Sequence, residues 1–337
     1  MLTWLFIGNF DHAHCTEVHV AASLEALGCT VIRAQENRTT LAQIVELVQG
    51  ADLLLYTRTW NQTREWQCGG GDFLAFLDAL PIPSVSFHLD LYAGLKRGDG
   101  LREDPFWRTK YVFSADGGSE EFFRRHGVNH FWLRPGVFHG GCYLAEPRED
   151  LRTEVGFVGN SGRHPEGYHP EWPYRGRLVN WLQQTYGRRF RKWPVPSQPA
   201  IREHDLNQLY ASTKIVVGDS LVLGPEDKRQ PAFTHRNYFS DRPYETLGRG
   251  GFLIMPRIAG LTDELRENVH LVYYDFGDFA GLRRLIDYYL RVEHEREAIR
   301  IAGHTFVREN CTYIHRMREM LGVIAEREPS IAAKWGG

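Results

Sequence analysis

Along residues 1–146 short apolar runs alternate with amphipathic stretches of helical length, which predicts βαβ units around a parallel sheet. LTWLFIG, TVIRAQ and ADLLLYT read as the first three strands. They alternate with helices over Glu17 to Leu27 and Leu41 to Val48. A helix over Asp72 to Leu80 is halted by Pro81 and Pro83 before the strand SVSFHL. The strand KYVFSA, a helix over Ser119 to His126 and the short apolar segment FWLRPG follow.

The pattern breaks at GGCYLAEPREDLRTE, where Gly140, Gly141, Pro147 and a charge run suggest a linker. The same alternation then restarts. EVGFVG, KIVVGDS, FLIM and HLVYYD are predicted strands, and helices are expected over Arg175 to Tyr186, over Leu206 to Ala211 with Asp205 as N-cap, and after Asp278. From Glu293 the chain reads as helical to Glu328, ending in a small polar tail. The expected architecture is α/β, with two Rossmann-like domains facing across a cleft. Their bounds are 1–146, 147–304, and a returning C-terminal helix with tail over 305–337. Ligands of open α/β sheets bind beyond the carboxyl ends of strands, so function is sought in the loops that follow them.

Composition narrows the class. The chain has 337 residues and a net charge of −2, so no global basic field drives nucleic-acid binding, although a local basic groove remains open. Five cysteines, widely spaced and without a CxxC pair, fit reduced thiols in a cytoplasmic protein. MLTWLFIGNF lacks a basic flank and reads as a buried strand, not a signal peptide, and no apolar run is long enough to span a membrane. DHAHC carries ligand types without a second pair at a zinc spacing, so no metal is expected. Asp-Phe-Gly in YDFGD has no accompanying kinase motif.

Three constellations carry candidate chemistry. In SDRPYETLGRGGFLIMPRIAGL, Ser240 or Asp241 can cap a helix with Pro243 in its first turn, and Gly250-Gly251 end it. Glu245 then either complements the helix dipole or accepts hydrogen bonds from vicinal ribose hydroxyls. Arg242 and Tyr244 flank it, and Arg242 is placed to meet phosphate oxygens. The second is VGFVGNSGRHP, where Gly159, Asn160, Ser161 and Arg163 follow a strand. Small residues admit an anion to the backbone and an arginine pairs with it, although an ordinary turn fits equally. Asp219 stands at the end of the neighbouring strand KIVVGDS. The third lies in the first half: His88 and Asp90 in SFHLDLY and Asp116 in SADGGSEE stand at successive strand ends, with Gly8 and Asn9 on the same rim. Such residues suit a general base or a sugar-hydroxyl ligand, or else a core histidine and turn aspartates.

With these residues assembled, the carboxyl half resembles the CgeB-like, group 1 type glycosyltransferases of the GT-B fold. SDRPYETLGRGGFLIMPRIAGLTDEL, HLVYYDFGDFAGLRRLIDYYL and RIAGHTFVRENCTYIHRMREML follow that family's closing order. The resemblance implies a nucleotide-diphosphate sugar, UDP-linked first of all, held mainly by the second domain and transferred to a hydroxyl acceptor held by the first. It implies a ribose contact for Glu245, diphosphate contacts for Arg242, Gly159, Asn160 and Arg163, and a place beside the transferred sugar for His88, with Asp90 or Asp116 as base. No metal or other cofactor is implied. Relatives with an acidic pair have a carboxylate eight residues before the ribose glutamate, whereas Asn237 stands there in this chain. A hydroxymethylated pyrimidine in DNA is one acceptor the resemblance allows; a glycan or small molecule is the other. A nucleotide-sugar sensor without turnover and a nucleotide-sugar isomerase are the rival readings.

Overall fold

The computed structural model describes residues 1–57, 71–89, 100–115, 117–118, 120–160, 172–195, 197–219 and 237–335. They form two compact units. The first takes Met1–Arg134 together with Tyr313–Gly337, and the second the segments from Pro135 to Thr312.

In the first unit six parallel strands lie in the order β2-β1-β3-β4-β5-β6. They are β1 (Thr3–Gly8), β2 (Thr30–Gln35), β3 (Leu53–Tyr56), β4 (Ser84–His88), β5 (Tyr111–Ser114) and β6 (His130–Trp132). Register runs Phe6 to Arg33 and Leu55, and His88 to Ser114. Strands buried on both faces need continuous apolar runs, and β3 and β4 are buried throughout. Side chains two apart share a face, so Trp4, Phe6, Leu53, Leu55, Val85, Phe87, Tyr111 and Phe113 meet in one cluster. Helix α1 (Thr16–Ala26) covers that face with Val20 and Leu24. The helices α2 (Leu41–Leu47), α3 (Gly71–Ala79), α4 (Pro105–Arg108) and α5 (Glu120–Arg125) link the remaining strands.

The second unit holds five parallel strands in the order β11-β10-β9-β7-β8. These are β7 (Thr153–Val158), β8 (Phe190–Trp193), β9 (Thr213–Val217), β10 (Leu253–Pro256) and β11 (Val272–Tyr274). Its helices are α6 (Trp172–Tyr186), α7 (Glu203–Ser212), α8 (Arg242–Gly248), α9 (Ala259–Thr262), α10 (Phe279–Arg291) and α11 (Glu293–Asn310). Val155, Phe157, Ile215, Val217 and Ile254 pack against Leu178 and Leu182 of α6 and Leu282 and Ile286 of α10. Asp278 caps α10 by accepting from Gly281 N–H at 2.8 Å. Asp205 does not cap α7: the helix begins earlier, after Arg202, and Asp205 lies in its first turn, 3.2 Å from Arg148. Gly250 has φ +84°, and the N–H groups of Gly250 and Gly251 satisfy the last carbonyls of α8.

The long carboxyl-terminal helix expected over Glu293 to Glu328 is two helices, and a third stands in the expected tail. It breaks at Cys311–Thr312 and resumes as α12 (Tyr313–Ala325), then α13 (Pro329–Trp335). Both pack in the first unit: Met317, Met320, Leu321, Ile324 and Ile331 join the cluster beneath β1 and β3, so the expected polar tail is partly core. Among the described residues no helix is long and apolar enough to cross a membrane.

Candidate active site

In the second unit the carboxyl ends of β7 and β9 meet the start of α8. Asp219, two residues past β9, is buried, and the fork of Arg175 from α6 grips it bidentately. Arg175 Nε donates to Oδ2 at 2.6 Å and Nη2 to Oδ1 at 3.1 Å. The third nitrogen, Nη1, donates to the carbonyl of Asn160 at 3.0 Å, tying the loop after β7 to the same fork. Burial lowers the pKa of Arg175, Asp219 opposes that, and the neighbouring Arg242 adds to it.

Arg242, the first residue of α8, lies on the other side of Asp219, with Nε 3.6 Å from Oδ1. Its Nη1 donates to the carbonyl of Val158, and its guanidinium stacks over the Phe157 ring at 5.3 Å. Nη2 makes no hydrogen bond among the described residues. Gly159 lies flat against this group: a Cβ there would be 2.6 Å from Nη1 and 2.8 Å from Nη2. Thus, among the described residues, two arginines share one buried carboxylate at the sheet's carboxyl edge, an excess of one positive charge.

Glu245 lies one helical turn beyond Arg242. Its Oε2 accepts from Arg249 Nε at 2.6 Å, and Arg249 Nη1 donates to Asn207 Oδ1 at 2.6 Å. Asn207 Nδ2 in turn donates to the carbonyls of Gly141 and Tyr143, each at 2.8 Å. Oε1 has no partner among the described residues, and the Glu245 side chain keeps 21% of its exposure while Arg249 keeps 7%. The network therefore fixes one carboxylate oxygen and leaves the other able to accept. Tyr244 is different: it is fully buried, packs on Phe239 and donates its hydroxyl to Glu264. Asn237 is half-buried, before Tyr238 and Phe239 of the core.

The first unit carries its own rim of carboxyl-end residues. Gly8 ends β1, and a Cβ on it would lie 2.7 Å from both Glu17 Cγ and Thr57 Oγ1. Asn9 accepts from the N–H of Asp11 at 3.1 Å, and Gln35 at the end of β2 accepts from the N–H of Phe10 at 2.7 Å. His88 closes β4, buried edge-to-face against Phe106 at 5.6 Å between ring centres. Glu17, in the first turn of α1, is buried, and so is Glu36, just past β2. Desolvation, reinforced by Glu36 and opposed by the Thr57 hydroxyl and a backbone bond, raises Glu17 to about 7. Asp90, Asp116, Ser161 and Arg163 lie outside the described residues.

The structure thus gathers Gly159, Asn160, Asp219 and Arg242 in one cluster, places Glu245 one turn away, and buries Tyr244 in the core. Gly8, Asn9 and His88 belong to the other unit. Arg175 was not singled out by its sequence, and neither were Glu17 and Glu36. Arg175 and Glu17 each stand three and seven residues before buried leucine or valine positions of their helices (Leu178 and Leu182; Val20 and Leu24), a phase that marks a charged residue as facing inward. Among the described residues no cluster of three or more His, Cys, Asp or Glu could hold a metal ion.

A glycosyl transferase-like family model matches residues 164–322. Solved structures of low identity share the fold over nearly the whole chain. An α-glucosyltransferase in complex with UDP-glucose and DNA containing an abasic site has a TM-score of 0.64 at 9% identity, covering 96% of this chain and 99% of that one. Anabaena HepE in complex with UDP and glucose has 0.60 at 14%, covering 97% and 100%. Sucrose-phosphate synthase from Thermosynechococcus elongatus has 0.58 at 11%, covering 97% and 99%. No curated protein sequence matches the chain.

Proposed function

We propose that this GT-B-fold glycosyltransferase takes a UDP-sugar as donor on its second unit and transfers the sugar to a hydroxyl acceptor. The observation that carries the reading is the pairing, one turn apart on α8, of a carboxylate and a guanidinium that each keep, among the described residues, a terminal atom without a hydrogen bond, Oε1 of Glu245 and Nη2 of Arg242. Glu245 Oε1 accepts from the ribose hydroxyls, held in place by Arg249. Arg242 Nη2 donates to the diphosphate, with Gly159 admitting the phosphate close to the backbone. As the glycosidic bond breaks, negative charge grows on the leaving UDP, and a fixed guanidinium in a partly desolvated place stabilises it. HepE and the α-glucosyltransferase were solved with UDP or UDP-glucose, which supports the same nucleotide here. His88, Asp90 and Asp116 are the candidates in the first unit for contacting the sugar and taking the acceptor's proton.

The wild-type protein is expected to release UDP from UDP-glucose. Glu245→Gln should raise the donor KM by roughly ten- to a hundredfold, the loss of a charge-assisted hydrogen bond being about 1.5–3 kcal/mol. An unchanged KM would remove Glu245 from the donor site. Release of a new nucleotide sugar would indicate an isomerase, and binding without turnover a sensor.

Hydroxymethylated DNA is the acceptor placed first. It is supported by exposed Arg177 and Arg188 on and just after α6, and by the DNA bound to the α-glucosyltransferase. Labelled glucose should enter hydroxymethylated but not unmodified duplex, and binding should weaken steeply with salt. Incorporation only into a glycan or small molecule would replace DNA as acceptor.

A further inference from the structure

We infer that Arg175 and Asp219 are positioning residues for Arg242: the buried Arg175–Asp219 pair aims the Arg242 guanidinium at a diphosphate that neither of the pair touches. The inference rests on the donor reading above for its ligand, but its geometry stands independently. Asp219 has no exposed side-chain surface and Arg175 only 6%, whereas Arg242 keeps 16%, so Arg242 is the group of the three that solvent or a ligand reaches most readily. Both oxygens of Asp219 are taken by Arg175, at 2.6 and 3.1 Å, which leaves a carboxylate that is a counter-ion and not a sugar or phosphate contact.

Each of the three Arg175 nitrogens donates to a protein atom among the described residues, two to Asp219 and one to Asn160. A planar guanidinium holding a carboxylate and a carbonyl at once fixes both in angle as well as distance, which a lysine cannot do. Asp219 then stands 3.6 Å from Arg242 Nε, and Asn160 adjoins the Gly159 that lies against Arg242. On its far side Arg242 is held by the Val158 carbonyl, the Phe157 ring and Gly218, whose added Cβ would be 3.7 Å from Arg242 Cδ. The guanidinium is thereby held by one hydrogen bond at Nη1, by the Phe157 ring and by its ion pair with Asp219, while Nε and Nη2 make no hydrogen bond among the described residues. Among the described residues two arginines stand against one carboxylate in this cluster, an excess of positive charge of the kind an anion site uses. Such supporting groups commonly change ligand affinity by about 10–100-fold when removed.

The test has two arms. In the ligand-free protein the side-chain Nε–H resonance of Arg242 should shift or broaden in Arg175→Lys and Asp219→Asn; an unchanged resonance overturns the inference whatever the substrate proves to be. In the second arm, affinities for UDP and for inorganic pyrophosphate are measured in Arg175→Lys, Arg242→Ala and the double variant. Arg175→Lys should weaken both ligands by roughly tenfold and leave uridine within about twofold. The double variant should be no weaker than Arg242→Ala alone, because Arg175 acts through Arg242. Additive losses would mean that Arg175 contacts the diphosphate itself, and would overturn the inference. A wild-type protein that binds pyrophosphate but not UDP, with the Arg242 resonance still responding, would refute the UDP reading and uphold the positioning arrangement.

Discussion

A methyl group at Gly159 would overlap the Arg242 guanidinium, approaching Nη1 to 2.6 Å and Nη2 to 2.8 Å. Gly159→Ala should therefore turn Arg242 away from its aim, raising the donor KM by roughly tenfold, and should also lower the melting temperature because Gly159 has φ +157°; titration with UDP-glucose and a thermal melt check this. Glu17 presents the opposite case, a buried acid with a cost written in pH. Its pKa rises from the ordinary 4.5 to about 7 because burial, and next Glu36, disfavour its charge. Below 4.5 the folded and unfolded chains both hold the proton and no penalty applies. As pH rises from 4.5 to about 7 the unfolded chain releases the proton first, so stability falls by roughly 3 kcal/mol and then levels off. Glu17→Gln should flatten that decline and raise the melting temperature at pH 8, as thermal melts across pH will show. Glu245 itself was identifiable in the sequence as an acid beside Arg242, but its partner Arg249 was not read as such, although the i,i+4 spacing was there to be used.

At the scale of the element, strands were legible where apolar runs were continuous, as ADLLLYT gave β3, and also where β-branched residues led a short mixed run, as TVIRAQ became β2 residue for residue. The basic run RRFRKW hid a strand: β8 within it lies at the sheet's edge, with Phe190 and Trp193 buried and Arg191 and Lys192 half-buried. The break between α11 and α12 could not be read, because β-branched Thr312 is a weak interruption and helical phase alone does not reveal a change of packing partner. What decides it is tertiary: Val307 packs in the second unit, while Met317, Met320 and Leu321 pack in the first. Leu321→Ala removes fully buried methyl groups from that face of α12 and should cost about 2–5 kcal/mol. Hydrogen exchange should show the loss in β1 and β3 amides; protection equal to wild type would mean that α12 is not part of their cooperative unit.

At the scale of the whole molecule, the two α/β halves were visible in the sequence because each repeats the same alternation of strand and helix. The chemistry was only partly visible. Neighbouring residues in sequence, such as Arg242 and Glu245, could be grouped by helical spacing. Arg175, Asp219 and Asn160 could not, since two separate loops and a helix bring them together at the carboxyl edge of one sheet. Charge gave little guidance either. A net charge of −2 over 337 residues hides a local excess formed by two arginines around one acid.

The passage of the chain through the first unit, into the second, and back again has a consequence for its synthesis. Residues 1–134 emerge from the ribosome first, yet their apolar cluster contains Met317, Met320, Leu321, Ile324 and Ile331, some 180 residues later. During translation the apolar cluster of β1, β3 and α1 therefore waits for its last side chains while the whole second unit is made. Incomplete apolar clusters are prone to association, so the amino-terminal unit reaches its final packing only when α12 and α13 add their side chains beside α1.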